Sequence, residues 1–363
     1  MDVKKLLKTL TETPGPSGYE SPISQVIHAT WEPYTDSLST DAMGNLIGLK
    51  NGQGEGTRPR ILLAAHMDEI ALLVTDVVCY PDESGYGFLK VARVGGVDTR
   101  QTYAQQVVVH GQRDLPGVIG CLPPYLLPLE RRDKPFDLQD LVVDVGLPYQ
   151  EVKELVSVGD FISFRQSLRE LGNGRVAGKS LDNRASVAAV TVCLDVLQNR
   201  KHTWDVLAVA TTQEEIGLRG ALTVASGQRP DLAIALDVTW AKGPLAKDGG
   251  LTFELGDGPL LGYGPNIHPG MFKALQDAAA AIELKVTPEG YAGGSSGTDT
   301  GALQTALAGI PTALISIPQR YMHTMVESMD IADIERAGRL LAEFIARLDD
   351  NFLNQLTKSL MDE

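Results

Sequence analysis

A chain of 363 residues with 43% hydrophobic content can bury a substantial core, and its length predicts two domains or one large domain carrying an insertion. Its 46 acidic against 32 basic residues give a formal charge of −14, which argues against nucleic-acid or anionic-membrane partners, because both require basic surface. The three scattered cysteines, Cys79, Cys121 and Cys193, sit in apolar runs and read as reduced core thiols; with no apolar signal core and no stretch of about 18 apolar residues, a cytoplasmic protein is expected.

Helical spacing runs from Val3 to Leu10 and stops at Thr13-Pro14-Gly15, and a second amphipathic helix is predicted from Ser21 to Trp31. A strand over Asn45 to Leu49 leads through a polar turn into the apolar strand Arg60 to Ala65, which delivers His66-Met67-Asp68-Glu69. His66 and Asp68 stand at i and i+2 and so lie on one side of a strand end, where a carboxylate can hold an imidazole or face a substrate. From 71 to 161 the texture changes to short β-rich segments broken by Gly and Pro, with one helix-like stretch near Leu147 to Leu155. This predicts an inserted β-rich domain, and its PPYLLPLERRDKPFDL segment predicts a long irregular loop that either makes a flexible excursion or contacts a partner subunit.

The α/β texture of 1–70 returns over 162–363. Ser180 to Arg184 precedes the apolar helix Ala185 to Leu197, with Asp182 a candidate N-cap. Next, the apolar run Val206 to Ala210 delivers two adjacent carboxylates, Glu214 and Glu215. Neighbouring side chains at a strand end point in opposite directions, so one glutamate can bind a metal while the other faces substrate or water. A third strand, Leu232 to Leu236, ends at Asp237, and 240–266 reads as loops around an opening. A helix is predicted over Pro269 to Ile282. Backbone amides of the Gly-rich run 292–297, before Thr298-Asp299, are placed to face an anion or a carbonyl. The last strand, Pro311 to Ile317, leads to His323, and an amphipathic helix over Ile331 to Leu348 closes the chain.

Open α/β sheets gather their chemistry at the C-terminal ends of their strands. If these strands are neighbours, His66, Asp182, Glu215, Asp237 and His323 converge on one crevice. Five N and O donors are too many for a single catalytic zinc, which takes three protein ligands and a water, and they suit two metals sharing one carboxylate. Adjacent carboxylates also begin helices for purely structural reasons, but five strand or helix termini ending in ligand residues are not explained that way.

The motifs AAHMDE (64–69), KSLDNRAS (179–186), TTQEEIGLRGA (211–221), ALDVT (235–239) and RYMHTMVE (320–327) resemble, in order and over nearly the whole chain, the tetrahedral (TET) aminopeptidases. These are co-catalytic metallopeptidases that include bacterial glutamyl aminopeptidase. The resemblance implies a mixed central sheet flanked by helices, the di-metal exopeptidase fold, with 71–161 as a dimerisation domain whose dimers build a dodecamer. It implies two divalent ions per subunit, zinc first with cobalt or manganese as alternatives. His66 and Asp237 would hold one ion, Glu215 and His323 the other, and Asp182 would bridge them. Glu214 would be the general base, Asp68 would orient His66, and the peptide bond after Asp182 would be cis. The implied reaction is removal of the N-terminal residue from short peptides. Trp240 and Lys242 depart from the run that many members carry after the Asp237 position, which leaves the preferred N-terminal residue open. Two other readings stand beside this one: a related di-metal amidase or deacylase, and an inactive scaffold that assembles through the insertion.

Overall fold

A computed structural model of the chain describes residues 1–134, 136–243, 253–291 and 296–359. Two helices open it, α1 (Val3–Glu12) and α2 (Ser21–Trp31), followed by strands β1 (Ser37–Thr40), β2 (Leu46–Lys50) and β3 (Arg60–His66). Six strands then close into an antiparallel barrel: β4 (Ala71–Tyr80), β5 (Tyr86–Val94), β6 (Gln106–His110), β7 (Asp114–Gly120), β8 (Val142–Pro148) and β9 (Phe161–Phe164). Two short helices accompany them, α3 (Thr99–Thr102) and α4 (Tyr149–Leu155). The chain continues through β10 (Arg169–Glu170), β11 (Arg175–Gly178), α5 (Leu181–Leu197), β12 (Asp205–Thr211), α6 (Arg219–Gln228) and β13 (Leu232–Trp240). It ends with β14 (Leu260–Tyr263), α7 (Pro269–Ala281), β15 (Thr287–Gly290), α8 (Thr300–Thr305), β16 (Thr312–Gln319), β17 (Glu327–Asp330), α9 (Ile331–Ala346) and α10 (Phe352–Ser359).

Eight strands form one mixed sheet in the order β1-β2-β12-β3-β13-β16-β14-β15. Its centre, β12-β3-β13-β16, is parallel, so four strands end on the same edge. These strands read as continuous apolar runs because both faces are covered, as parallel sheets require. On one face α1, α2, α5, α7 and α9 share a core that includes Trp31, Leu63, Trp204, Ile315 and Phe344. On the other, α6 and α8 pack over Leu62, Val209, Ala235 and Leu314. The barrel carries a separate core around Val74, Leu89, Val109 and Ile162. Among the described residues no helix is long and apolar enough to cross a membrane.

Several elements differ from the pattern-based expectation. Strand β13 runs on to Trp240 rather than stopping at Leu236, so Asp237 lies inside the strand, paired with Ser316 of β16. The stretch read as loops contains β14, and β15 is a further edge strand; both are too short to show a period. Asp182 does not serve as the expected N-cap: the cap position falls at Ser180, the Asp182 oxygens turn to His66 and His323 instead of to a backbone N–H, and the Asp182–Asn183 peptide is cis. The final helix breaks after Ala346, with α10 as a separate piece. The barrel's last strand passes 161 to end at Phe164. The irregular loop inside it holds three short turns of 3-10 helix, at Pro124–Leu126, Leu129–Arg131 and Leu138–Asp140. Of the three free thiols only Cys193 is buried; Cys79 and Cys121 are half-buried.

Helices α5 and α9 cross closely because Gly338 has no side chain there: a Cβ would meet Ala189 O and Val192 Cβ at 2.5 Å each. Since α5 carries Asp182 at its start, this contact seats a site residue as well as the core. Gly338→Ala should therefore lower stability by about 1–3 kcal/mol, read as a lower urea midpoint with an unchanged slope.

Candidate active site

The four parallel strands bring their ends to one place. His66, the last residue of β3, pairs with Thr211 of β12. Two residues earlier, Ala64 pairs with Ala235, which puts Asp237 level with His66 on the neighbouring strand. Asn183 Nδ2 donates to Leu236 O at 2.8 Å and ties the start of α5 to β13 beside Asp237. Glu214 and Glu215 follow β12, and His323 follows β16. The side chains of His66, Asp182, Glu214, Glu215, Asp237 and His323 all line one cleft of about 690 Å³.

Asp182 stands at the centre. Its Oδ1 lies 3.1 Å from His66 Nε2 and its Oδ2 lies 3.4 Å from His323 Nε2. Around His66, Asp237 Oδ1 and Glu214 Oε2 are each 3.8 Å from Nε2. Around His323, Glu215 Oε1 is 3.5 Å from Nε2. Donor atoms of His66, Asp182 and Asp237 lie within 4.8 Å of one another, as do those of Asp182, Glu215 and His323. Two groups able to hold a metal ion therefore share one carboxylate, and Glu214 belongs to neither.

The supporting residues explain how these side chains are held. Asp68 Oδ1 lies 3.4 Å from His66 Nδ1, and its carboxylate also accepts from the backbone N–H of Glu214 (3.0 Å) and Glu215 (3.2 Å) and from Ser17 Oγ (2.5 Å). One buried aspartate thus orients both the imidazole and the loop carrying the two glutamates. Glu327 does the same opposite: it accepts from Asp182 N at 3.1 Å and from His323 N at 2.9 Å. Sequence reading missed Glu327, although it closes the RYMHTMVE motif, and it missed Asp299, whose Oδ2 accepts from Thr211 Oγ1 at 2.6 Å. Both lie in segments the motifs touch, but only the fold turns them inward. Below the site, Glu69 accepts from Lys179 Nζ, Ser180 Oγ and Gly15 N, locking the turn before Asp182. Non-glycine residues with left-handed backbone crowd here: Ser180 (φ 56°), Gln213 (φ 54°), Leu218 (φ 57°), Tyr321 (φ 61°) and His323 (φ 61°). Such strain persists only where surrounding contacts impose it, and it gathers at functional sites. The barrel reaches in as well: a Cβ on Gly96 would stand 2.5 Å from His323 Nδ1. Residues 292–295 of the Gly-rich run lie outside the described residues; Ser296, Gly297 and Thr298 line the cleft.

The electrostatics favour cations. The described ion pairs of Asp182, Glu214, Glu215 and Asp237 are all with the two histidines. Burial, and then the charges of Asp237, Asp299 and Glu215, push Glu214 up to about 10. Burial and Asp182 push Glu215 up to about 7, and burial raises Asp237 well above the carboxylate range. Asp182 goes the other way: burial would raise it, but hydrogen bonds from His323 and His66 outweigh this. The hydrogen bond to Asp182 in turn raises His323 to about 9. Divalent cations would neutralise this crowding, and imidazole with carboxylate is a donor set that suits them, so the residues fit a pair of metal ions.

Residues 44–340 match the family model for M42 glutamyl aminopeptidases. The chain belongs to the M42 family. It is accordingly a peptide hydrolase of the aminopeptidase kind, in a metal-dependent family. Among M42-like relatives, the lysyl aminopeptidase of Pyrococcus furiosus is 34% identical over 352 residues, covering 95% of this chain and 97% of its own. The solved TET aminopeptidase of the marine sediment archaeon Thaumarchaeota archaeon SCGC AB-539-E09 superposes with a TM-score of 0.89 at 30% identity, covering 98% of this chain and 100% of that one. The TET1 peptidase of Pyrococcus horikoshii, described as able to assemble into a tetrahedron or a large octahedral shell, gives 0.81 at 32% identity, covering 96% and 100%. The mixed α/β architecture with a separate antiparallel β domain is thus the fold of the TET aminopeptidases.

Within this M42 site, Glu327 accepts with both oxygens, which a glutamine cannot do. Glu327→Gln should weaken metal affinity roughly 10- to 100-fold, the usual cost of losing a partner behind the ligands, as measured by calorimetric titration of the metal-free protein. Unchanged affinity would remove Glu327 from the support of the site.

Proposed function

We propose that the protein is a di-metal aminopeptidase that removes the N-terminal residue of short peptides. The observation that carries this reading is the placement of Asp182, with one oxygen toward each group of donors. His66 and Asp237 would hold one divalent ion, Glu215 and His323 the other, and Asp182 both; zinc is the first expectation, with cobalt or manganese also matching N and O donors. Bound there, such ions polarise the scissile carbonyl and make water a nucleophile at neutral pH.

The chain's own residues supply the rest. Asp68 fixes the His66 ring and the Glu214–Glu215 loop. Glu214, a nearby carboxylate that neither group requires, is free to act as general base: it takes a proton from the attacking water and returns it to the departing amine. Burial is the first cause that raises Glu214, and positive charge held beside it would work against that and favour the carboxylate form that accepts the proton. The cleft leading away from the ligands has room for a side chain and a short stretch of peptide.

The barrel serves, in this reading, as a dimerisation domain, with dimers building a larger closed shell. Support comes from the assemblies described for the TET structures and from exposed apolar side chains on its irregular loop, Tyr125, Leu126 and Leu129. The free thiols suit a reducing compartment, and we place the protein in the cytoplasm. Sedimentation velocity should show an assembly much heavier than a monomer, and Leu129→Asp should shift it toward smaller species.

Aminoacyl-p-nitroanilides with free amines should be cleaved and their N-acetyl counterparts not. Chelation should abolish the activity, and re-added metal restore it. Glu214→Gln should keep two ions per subunit while losing roughly 10²- to 10⁴-fold in kcat, the range for a general base; near-normal turnover would overturn that assignment. Hydrolysis of acylated but not free amines would favour the deacylase reading.

A further inference from the structure

The cleft continues past the ligands along β13. Asp237 and Thr239 are two residues apart on that strand, so they face the same way, with roughly 6 to 7 Å between them along the chain. Thr239 Oγ1 donates to Glu289 on β15, and Tyr291 Oη donates to the other Glu289 oxygen at 2.9 Å. Glu289 is only 5% exposed, yet it lines the cleft. Among the described lining residues it is the one charged side chain outside the group formed by His66, Asp182, Glu214, Glu215, Asp237 and His323. Its described partners are both neutral hydroxyls, one on each oxygen, and a carboxylate oxygen has two lone pairs. An acceptor site therefore remains on each oxygen, and no described ion pair neutralises the charge. Trp240 and Phe253 also line the cleft, and aromatic walls suit a methylene stem and its cation.

We propose that this end of the cleft receives the side chain of the substrate's N-terminal residue and that Glu289 selects a cationic one, lysine or arginine, over an acidic one. The proposal rests on the aminopeptidase reading above. With the α-amine at the ligand cluster, the distance from Asp237 to the level of Thr239 matches the reach of a long, unbranched side chain, whose terminal cation then meets Glu289. An acidic side chain would meet like charge in a buried setting and is rejected.

The test is kcat/KM for lysyl, arginyl, leucyl and glutamyl p-nitroanilides, measured on the metal-loaded protein and on Glu289→Gln with its metal content checked. The wild type should prefer lysyl and arginyl over glutamyl substrates. In Glu289→Gln the lysyl-to-leucyl ratio should fall roughly tenfold or more, the scale of a lost charge-assisted hydrogen bond, and the glutamyl rate should rise relative to leucyl. A wild type that prefers glutamyl substrates would overturn the proposal. So would a variant that slows all four substrates alike, since that is the signature of Glu289 merely bracing Thr239 and Tyr291. Cleavage of the leucyl substrate with no preference for cations would sink this proposal alone, whereas silence toward every free-amine substrate would sink the aminopeptidase reading with it.

Discussion

Asp182 presents its two oxygens to two imidazoles that arrive on different strands, and the arrangement of the site depends on that division. A carboxylate can share itself this way only if its backbone is held still. Glu327 takes the Asp182 N–H, Asn183 is bound to β13, and the turn before it is locked on Glu69. The same Glu327 takes the His323 N–H, so the shared carboxylate and one of its imidazoles are positioned by a single side chain.

This concentration of buried charge is unfavourable for folding alone. Four carboxylates and Asp299 are withdrawn from water with only two imidazoles opposite them, and burial pushes every one of these acids up, a push that the two imidazoles outweigh at Asp182 alone. Cations bound there would convert that cost into affinity, because contacts among the chain's own residues already hold the side chains in place. The pair Lys179–Glu69 illustrates the support: it is almost fully buried, and removing one partner of such a pair typically costs about 3–5 kcal/mol. The parallel centre of the sheet supplies the rigidity, since its strands are covered on both faces and cannot shift singly.

The barrel is more than an attached module. Gly96, just past β5, packs against the His323 ring so closely that no side chain is tolerated, and Gly95 lies against Glu215. Contacts that order the barrel thus bear directly on the donors of the second group. That gives the barrel a physical route to influence the site.

Much of this was legible in the chain. Apolar runs that end in His66, Glu214-Glu215, Asp237 and His323 mark strands delivering ligand-type residues, because a parallel strand covered on both faces must be apolar until it reaches the sheet edge. The loss of that texture from Ala71 onward pointed to a separate β-rich unit, and the antiparallel barrel begins there with β4 and runs on to Phe164. What the pattern could not carry was everything decided by contacts between distant segments. Asp182 looks like a helix cap in isolation, and only the approach of His66 and His323 makes it the shared carboxylate. Glu327, Asp299 and Glu289 carry no periodic signal, since their partners are backbone amides and hydroxyls from other elements. Short edge strands such as β14 and β15 fall below the length at which alternation can be read. The sequence by itself determined the fold class and which imidazole and carboxylate side chains stand at the strand ends, because hydrophobic periodicity and strand-end chemistry are local. The tertiary structure alone decided how those residues divide into two groups, which acids brace them and which carboxylate faces the cleft, because register, crossover and burial are properties of the assembled sheet.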